Sequence, residues 1–405
     1  MFWINSNVSN ADILVDADNS SQSAATRAAF ATIATFGVAG NALVTYVMVT
    51  QRRAFSSSTN RLILHQSCID LVSCLLFILQ KFTPELKLAN IPSTPLGQIY
   101  CRLWLTEYLL WSLWIMSTAN FLLISLERYF ATCRRAVYRV YFKREHLAIR
   151  VLLVWITGFA VEVYLPLMTR LTKDGECKMV RSGSAKQAFA GVLIFLLEYL
   201  LPLMVITFCY TNIIVLLYRR RKRREATSLF PGASMSSTTV SAQINTHRSF
   251  QKVQYNVLST LLMMALSFAV FWSPVELDFL IFNLRGADVS NAGAASDDIG
   301  SVVDHVDDVD AGNYDIYTVC LLANVCVNPF IFCFKYGHFR RQLKKTVQFH
   351  KVSCCSCCGH CCSKNADKTS VQEGGSEETL KMINALPLLR TNRHREIQQL
   401  NCSCP

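Results

Sequence analysis

Seven long apolar stretches, separated by polar segments, organise the chain: residues 28–51, 62–83, 102–127, 149–169, 188–218, 255–284 and 315–334. Each holds about the 20 mainly apolar residues that an α-helix needs to cross the roughly 30 Å hydrocarbon core of a bilayer. The expected fold is an all-α membrane protein, a seven-transmembrane helix bundle. Along the third stretch, Glu107, Leu110, Trp114, Ser117, Phe121, Ile124 and Arg128 recur at helical spacing, so they share one face. Three of them are polar. A charge at the bilayer centre costs about 2.5–3.5 kcal/mol, so this face must look into protein or water. An unbroken helix from Cys101 to Arg128 would be roughly 40 Å long and would touch both aqueous phases.

Basic residues follow the first, third and fifth stretches (Arg52, Arg53; Arg134, Arg135, Arg139, Lys143, Arg144; Arg219 through Arg224) and continue after the seventh with Lys335, Arg340, Arg341, Lys344 and Lys345. Acidic residues mark the N-terminal tail and the loop after the sixth stretch, whereas the second outer loop, with Lys173, Lys178, Arg181 and Lys186, breaks the asymmetry. This is the positive-inside pattern, with an extracellular N-terminus. Residues 1–27 form the outer tail, and no cleavable signal peptide is visible. Asn7-Val8-Ser9 and Asn19-Ser20-Ser21 are glycosylation acceptors. Residues 28–335 form the bundle. Residues 336–349 alternate apolar and basic positions, as an amphipathic cytoplasmic helix on the membrane surface would. Residues 350–405 are a cytoplasmic tail, and the loop from Glu225 to Thr246 reads as a flexible Ser/Thr-rich linker.

Composition removes the soluble classes. With 52% hydrophobic and 17% charged residues, the chain is too apolar to surround a core with a polar surface. The net charge of +12 therefore marks inner loops rather than a nucleic-acid partner. The eight His are dispersed and almost all lie outside the spans, so no nucleophile–base or metal set of an intramembrane enzyme is visible. A transporter should show paired repeats with broken helices, and none is present.

Polar landmarks recur in order along the spans: Gly40-Asn41, Asp70, Ser117 with Glu127-Arg128-Tyr129, Trp155, Pro202 with Tyr210, Phe268 with Trp272 and Pro274, and Asn324 with Asn328-Pro329. This series resembles the rhodopsin-like (class A) family of G-protein-coupled receptors over residues 28–345. The resemblance implies a multi-pass plasma-membrane receptor that is not an enzyme and has no obligatory cofactor. Its partners would be an extracellular ligand, a heterotrimeric G protein, arrestin and a receptor kinase.

By its chemistry Asp70, with Asn41, Ser117, Asn324 and Asn328 available around it, is either a hard-cation site or a hydrogen-bonded polar core. The resemblance implies allosteric sodium. Pro202, Pro274 and Pro329 each remove a helical hydrogen bond and permit bending. Phe268 and Trp272, four residues apart, resemble the family's packing switch, and Asn328, Pro329 and Phe332 its second switch. The resemblance further implies that Arg128 pairs with Glu127 in the resting receptor and turns toward Tyr210 and the G protein in the active one.

Two departures stand out. Gln254 occupies a position where many relatives place an acidic partner, and Phe332 replaces a Tyr whose hydroxyl would bridge to Tyr210. Both predict raised basal signalling.

Cys101 and Cys177 resemble the family's disulfide, although Cys101 lies about two residues farther from Arg128 than usual. Cys354, Cys355, Cys357, Cys358, Cys361 and Cys362 read as palmitoylation sites. A zinc knuckle with His360 is the rival reading. For the ligand, Leu110 and Leu322 stand where amine receptors and opsins carry Asp and Lys. Acidic residues line the outer half instead: Glu107, Glu198 and Glu276, with Asp278 and Glu162 as further candidates. With Leu110, Trp114 and Trp272 they fit a cationic ligand, expected to be a basic neuropeptide. A small amine using Glu107 is the alternative within the class.

Overall fold

The computed structural model describes residues 24–82, 91–173, 175–179, 184–228, 237–292 and 300–357. The side chains of residues 144, 179, 184–185, 224–254, 285–314 and 349–357 lie outside that description, as do both predicted glycosylation sites, Asn7 and Asn19. Among the described residues, seven helices are long and apolar enough to cross a membrane: Ala24–Thr50, Ser58–Phe82, Tyr108–Cys133, Leu147–Met168, Lys186–Arg223, Tyr255–Leu284 and Asp315–Lys335. They are numbered below as spans one to seven. Span three is the most enclosed and span four the least. The inward face predicted for span three is buried at Leu110, Trp114, Ser117, Phe121 and Ile124.

The predicted single rod from Cys101 to Arg128 is broken. A π-helical segment, Tyr100–Leu105, ends at Thr106, and Glu107 adopts a left-handed conformation with φ 54° before span three begins at Tyr108. The extra residues between Cys101 and Arg128 are taken up in this offset, so the rod starts afresh below Glu107. Left-handed backbone is costly for a residue with a Cβ. Here a 2.7 Å bond from Lys81 Nζ to the Glu107 carboxylate helps to hold it.

Above the break, strands β1 (Thr169–Leu171) and β2 (Cys177–Met179) pair antiparallel, with Leu171 opposite Cys177. Gly175 supplies the positive φ of 79° in the turn between them. The Cys101–Cys177 disulfide joins this hairpin to the π-helical segment across a Cα–Cα distance of 5.7 Å.

Two further readings need correction. The linker Glu225–Thr246 is partly helical: the fifth helix continues to Ser228, and the sixth already begins at Ser237. The terminal helix is longer than the predicted 336–349 and runs from Gly337 to Cys357, so the backbone at Cys354, Cys355 and Cys357 is helical rather than beyond the helix. Its Arg, Lys and Gln positions suit a helix, and no Gly or Pro follows Gly337 before Cys357 to stop it. Cys358, Cys361 and Cys362 lie outside the described residues. By contacts the chain divides at Val347, with the bundle and the first half of the terminal helix in one unit.

Candidate functional site

The site extends along span three, and its inner end is the tightest cluster. Glu127 is fully buried. Its carboxylate accepts from Arg128 Nε at 2.6 Å and Nη2 at 2.8 Å, from Thr59 Oγ1 at 2.8 Å and from Tyr138 Oη at 2.9 Å. Arg128 is thus held by a bidentate, charge-assisted pair to the adjacent residue, and span two and the inner loop hold the acid in turn. Sequence reasoning found Glu127 and Arg128 but missed Thr59 and Tyr138. A lone hydroxyl at a helix start or in a loop carries no pattern. Tyr210 lies nearby with its hydroxyl 3.0 Å from Ser125 Oγ, and Tyr129 packs against Phe130 and Phe208. The side chain of Gln254 lies outside the described residues.

In the middle, Asp70 is fully buried and accepts from Ser117 Oγ at 2.8 Å, Asn328 Nδ2 at 2.8 Å and Gln66 Nε2 at 3.1 Å. Gln66 also donates to Ser117. Ser117 and Asn328 were expected here, and Gln66 was not, although it stands one helical turn from Asp70 on the same face. Asn324 is buried but is not among the groups bonded to Asp70. Asn41, buried as well, donates from Nδ2 to the carbonyls of Gly37 at 3.0 Å and Val325 at 3.3 Å. Val325 is the residue whose carbonyl loses its helical donor because Pro329, four residues on, has no N–H. Asn41 replaces that donor across the helix interface. Gly40 allows the approach, since a Cβ there would lie 2.9 Å from Pro329. The same device recurs in span six, where Ser273 Oγ donates at 3.3 Å to the Val270 carbonyl released by Pro274. The carbonyls freed by Pro329 and Pro274 are thus each given a replacement donor.

Farther out along the bundle, the rings of Phe268 and Trp272 lie 5.6 Å apart, and Tyr199 of span five lies 6.0 Å from Phe268. Trp272 and Phe268 are buried, as are Leu110, Trp114 and Leu322. Phe332 is fully buried without a polar group to offer.

At the outer end, the predicted acids divide. Glu107 is neutralised by Lys81 at 2.7 Å and is not a free anion for a ligand. Glu162, Glu198 and Glu276 instead converge from spans four, five and six. Glu198 and Glu276 share a hydrogen bond, in which one carboxyl is protonated and donates to the other, and Glu162 lies within electrostatic reach of both. All three are buried, and among the described residues both oxygens of Glu162, Oε1 of Glu198 and Oε2 of Glu276 have no hydrogen-bond partner. Glu198 sits in a π-helical turn, Leu196–Leu200, directly before Pro202; the Leu201 N–H reaches back to the Leu196 carbonyl and rotates the acid inward. Glu162 follows the last turn of the fourth helix at Val161. Asp278 is partly exposed.

This arrangement, a seven-helix bundle with polar switches strung along one central helix, defines a membrane receptor. Residues 40–332 match the family model of the 7 transmembrane receptor (rhodopsin family), and the chain belongs to that family. It is similar to the cholecystokinin receptor type A of Rattus norvegicus, 28% identical over 190 residues, which cover 45% of this chain and 41% of that receptor. The gastrin/cholecystokinin type B receptor of the same species is 32% identical over 190 residues, covering 45% and 39%. The neuropeptide Y receptor type 1 of Xenopus laevis is 24% identical over 339 residues, covering 79% and 80%. The match thus spans about two fifths of the length of these two Rattus norvegicus receptors. The family is one of signalling receptors in the membrane rather than of enzymes.

Proposed function

We propose that this protein is a plasma-membrane receptor, N-terminus outside, that binds a basic peptide and activates a heterotrimeric G protein through Arg128. The observation that supports this most is the buried Glu162–Glu198–Glu276 group, three carboxyls with unpartnered oxygens at the outer end of the bundle. Buried carboxylates are costly without a cation, and a ligand ammonium or guanidinium would supply one. The printed names of the relatives, receptors for cholecystokinin, gastrin and neuropeptide Y, favour a peptide over a small amine. So does the neutralisation of Glu107, the acid on which an amine reading relied. Arrestin and a receptor kinase would act on the active state. Glycosylation at Asn7 and Asn19 and palmitoylation in the cluster Cys354–Cys362 belong to the same reading.

G-protein activation measured in cells exposed to a peptide library, with wild type beside Arg128→Ala, tests the assignment. A response to a basic peptide in wild type and its loss in Arg128→Ala are expected. Equal responses would remove Arg128 from coupling.

Sodium fits the residues around Asp70. That carboxylate has hydroxyl and amide neighbours, and no ion pair reaches it among the described residues. Asn41 Oδ1 is buried without a partner among the described residues. Asp70 and Ser117 would hold the ion, with Asn328 after rotation of its amide, and the ion would supply the positive charge that these residues lack. The expected result is that sodium raises the melting temperature of the purified receptor, whereas Asp70→Asn removes the dependence. A wild type equally stable in sodium and in an organic-cation salt would count against it.

A further inference from the structure

The loss of the span-seven tyrosine at Phe332 leaves the inner end of that span without the expected hydroxyl, but one turn later the chain supplies another. Tyr336 stands between span seven and the terminal helix. It is buried, and its hydroxyl donates at 2.7 Å to Asn60 Oδ1. Its backbone N–H still reaches the Phe332 carbonyl at 3.2 Å, and its own carbonyl accepts from Arg340 at 3.1 Å, so the residue is fixed to both helices. Asn60 lies at the start of span two, buried, beside Thr59. Thr59 is the residue that donates to Glu127 at 2.8 Å. Consecutive residues of span two therefore hold the acid that restrains Arg128 and the tyrosine that ends span seven. Tyr336 also lies within electrostatic reach of Arg128 itself.

We infer that Tyr336 is a positioning residue of the switch: its bond to Asn60 latches the inner end of span seven to span two beside the Glu127–Arg128 pair. The inference rests on the receptor reading above. Pro329 lies seven residues before Tyr336, so a change of bend at Pro329 moves Tyr336 with the rest of the inner segment. Breaking the latch frees span seven, and the freed hydroxyl then lies near Arg128. The helix offset of four residues keeps Tyr336 on nearly the same face as Phe332. The terminal helix adds a second hold at this corner, where His338 approaches the Ala54 carbonyl at 3.2 Å and Phe55 packs edge-on to the His338 ring at 5.0 Å. Those contacts fix the helix, whereas the Tyr336–Asn60 bond holds a group within electrostatic reach of Arg128.

The test compares Tyr336→Phe, Asn60→Leu, the double variant and Tyr336→Phe with Phe332→Tyr, at matched surface density. Two quantities are read: ligand-independent G-protein activation, and the distance between spin labels at the inner ends of spans two and seven in purified receptor. Loss of one hydrogen bond should shift the resting equilibrium about fivefold. Each single variant is expected to raise basal activation by that factor and to lengthen the label distance. The double variant should do no more than either single one, and Phe332→Tyr should restore part of the restraint. Unchanged label distance and unchanged basal activation in Tyr336→Phe would overturn the latch, as would additive effects in the double variant. A lengthened distance with no G-protein response in any variant would leave the latch standing and remove the coupling role instead.

Discussion

Glu127→Ala is expected to raise ligand-independent G-protein activation about tenfold. The wild-type carboxylate is fully buried and receives four donor contacts from Arg128, Thr59 and Tyr138. Hydrogen bonds to a charged group contribute about 1.5–3 kcal/mol each, and tenfold in an equilibrium needs only about 1.4 kcal/mol. Loss of this group therefore exceeds what the switch requires even if water recovers most of it. Arg128, whose side chain is 28% exposed, is the member with a path to solvent and to a partner. The same substitution should lower the melting temperature, because Thr59 and Tyr138 lose their acceptor. Nucleotide exchange on a G protein, normalised to receptor number, reads the first effect, and thermal unfolding in detergent reads the second. A destabilised variant with wild-type basal exchange would show that the cluster holds the fold and not the switch. Thr59→Val, which removes one donor and leaves the ion pair, should give a smaller rise of the same sign.

The inner cluster also shows which parts of this molecule are legible in one dimension. The seven spans are, because twenty apolar residues in a row have few other fates, and the inward face of span three is, because helical period exposes it. The partners of Asp70 were visible as a set of polar groups misplaced in hydrocarbon. Ser117 and Asn328 reach it across 47 and 258 residues of chain. What periodicity reports is a face, not a pairing. Gln66 was missed since a single amide within an apolar span names no partner, and Lys81 since a lysine at a span end usually reaches the headgroups. The break at Glu107 is invisible in composition: nothing in Trp104-Leu105-Thr106-Glu107 resembles a Gly or Pro stop, and the left-handed residue depends on tertiary contacts. Phe332 removes the hydroxyl from the motif position itself. The structure places Tyr336 one turn on, bonded to Asn60, and under the inference above that restraint would lower the basal activity that Phe332 alone predicts.

At the outer end, replacing Glu162 with Met is expected to have two opposed effects. The melting temperature should rise, because the variant removes a buried carboxyl with neither oxygen bonded among the described residues and substitutes an apolar side chain of similar volume. An unsatisfied buried polar group costs about 1–3 kcal/mol, so the gain should be a few degrees. The potency of the basic peptide should fall, since Glu162 lies within reach of Glu198 and Glu276 and shares the charge that would draw a cation. Glu198→Gln and Glu276→Gln keep the shape and lose the charge, and each should reduce potency by about tenfold to a hundredfold, or about 1.4–2.8 kcal/mol. A group retained only for packing would show neither the gain in stability nor the loss in potency. Dose–response curves for the activating peptide, taken beside unfolding curves of the ligand-free receptor, separate the two. Greater stability together with unchanged potency for every activating ligand would remove these acids from recognition. The opposed signs, found together, identify a site whose instability in the empty receptor is the source of its affinity, because the ligand cation satisfies oxygens that the fold leaves unpaired.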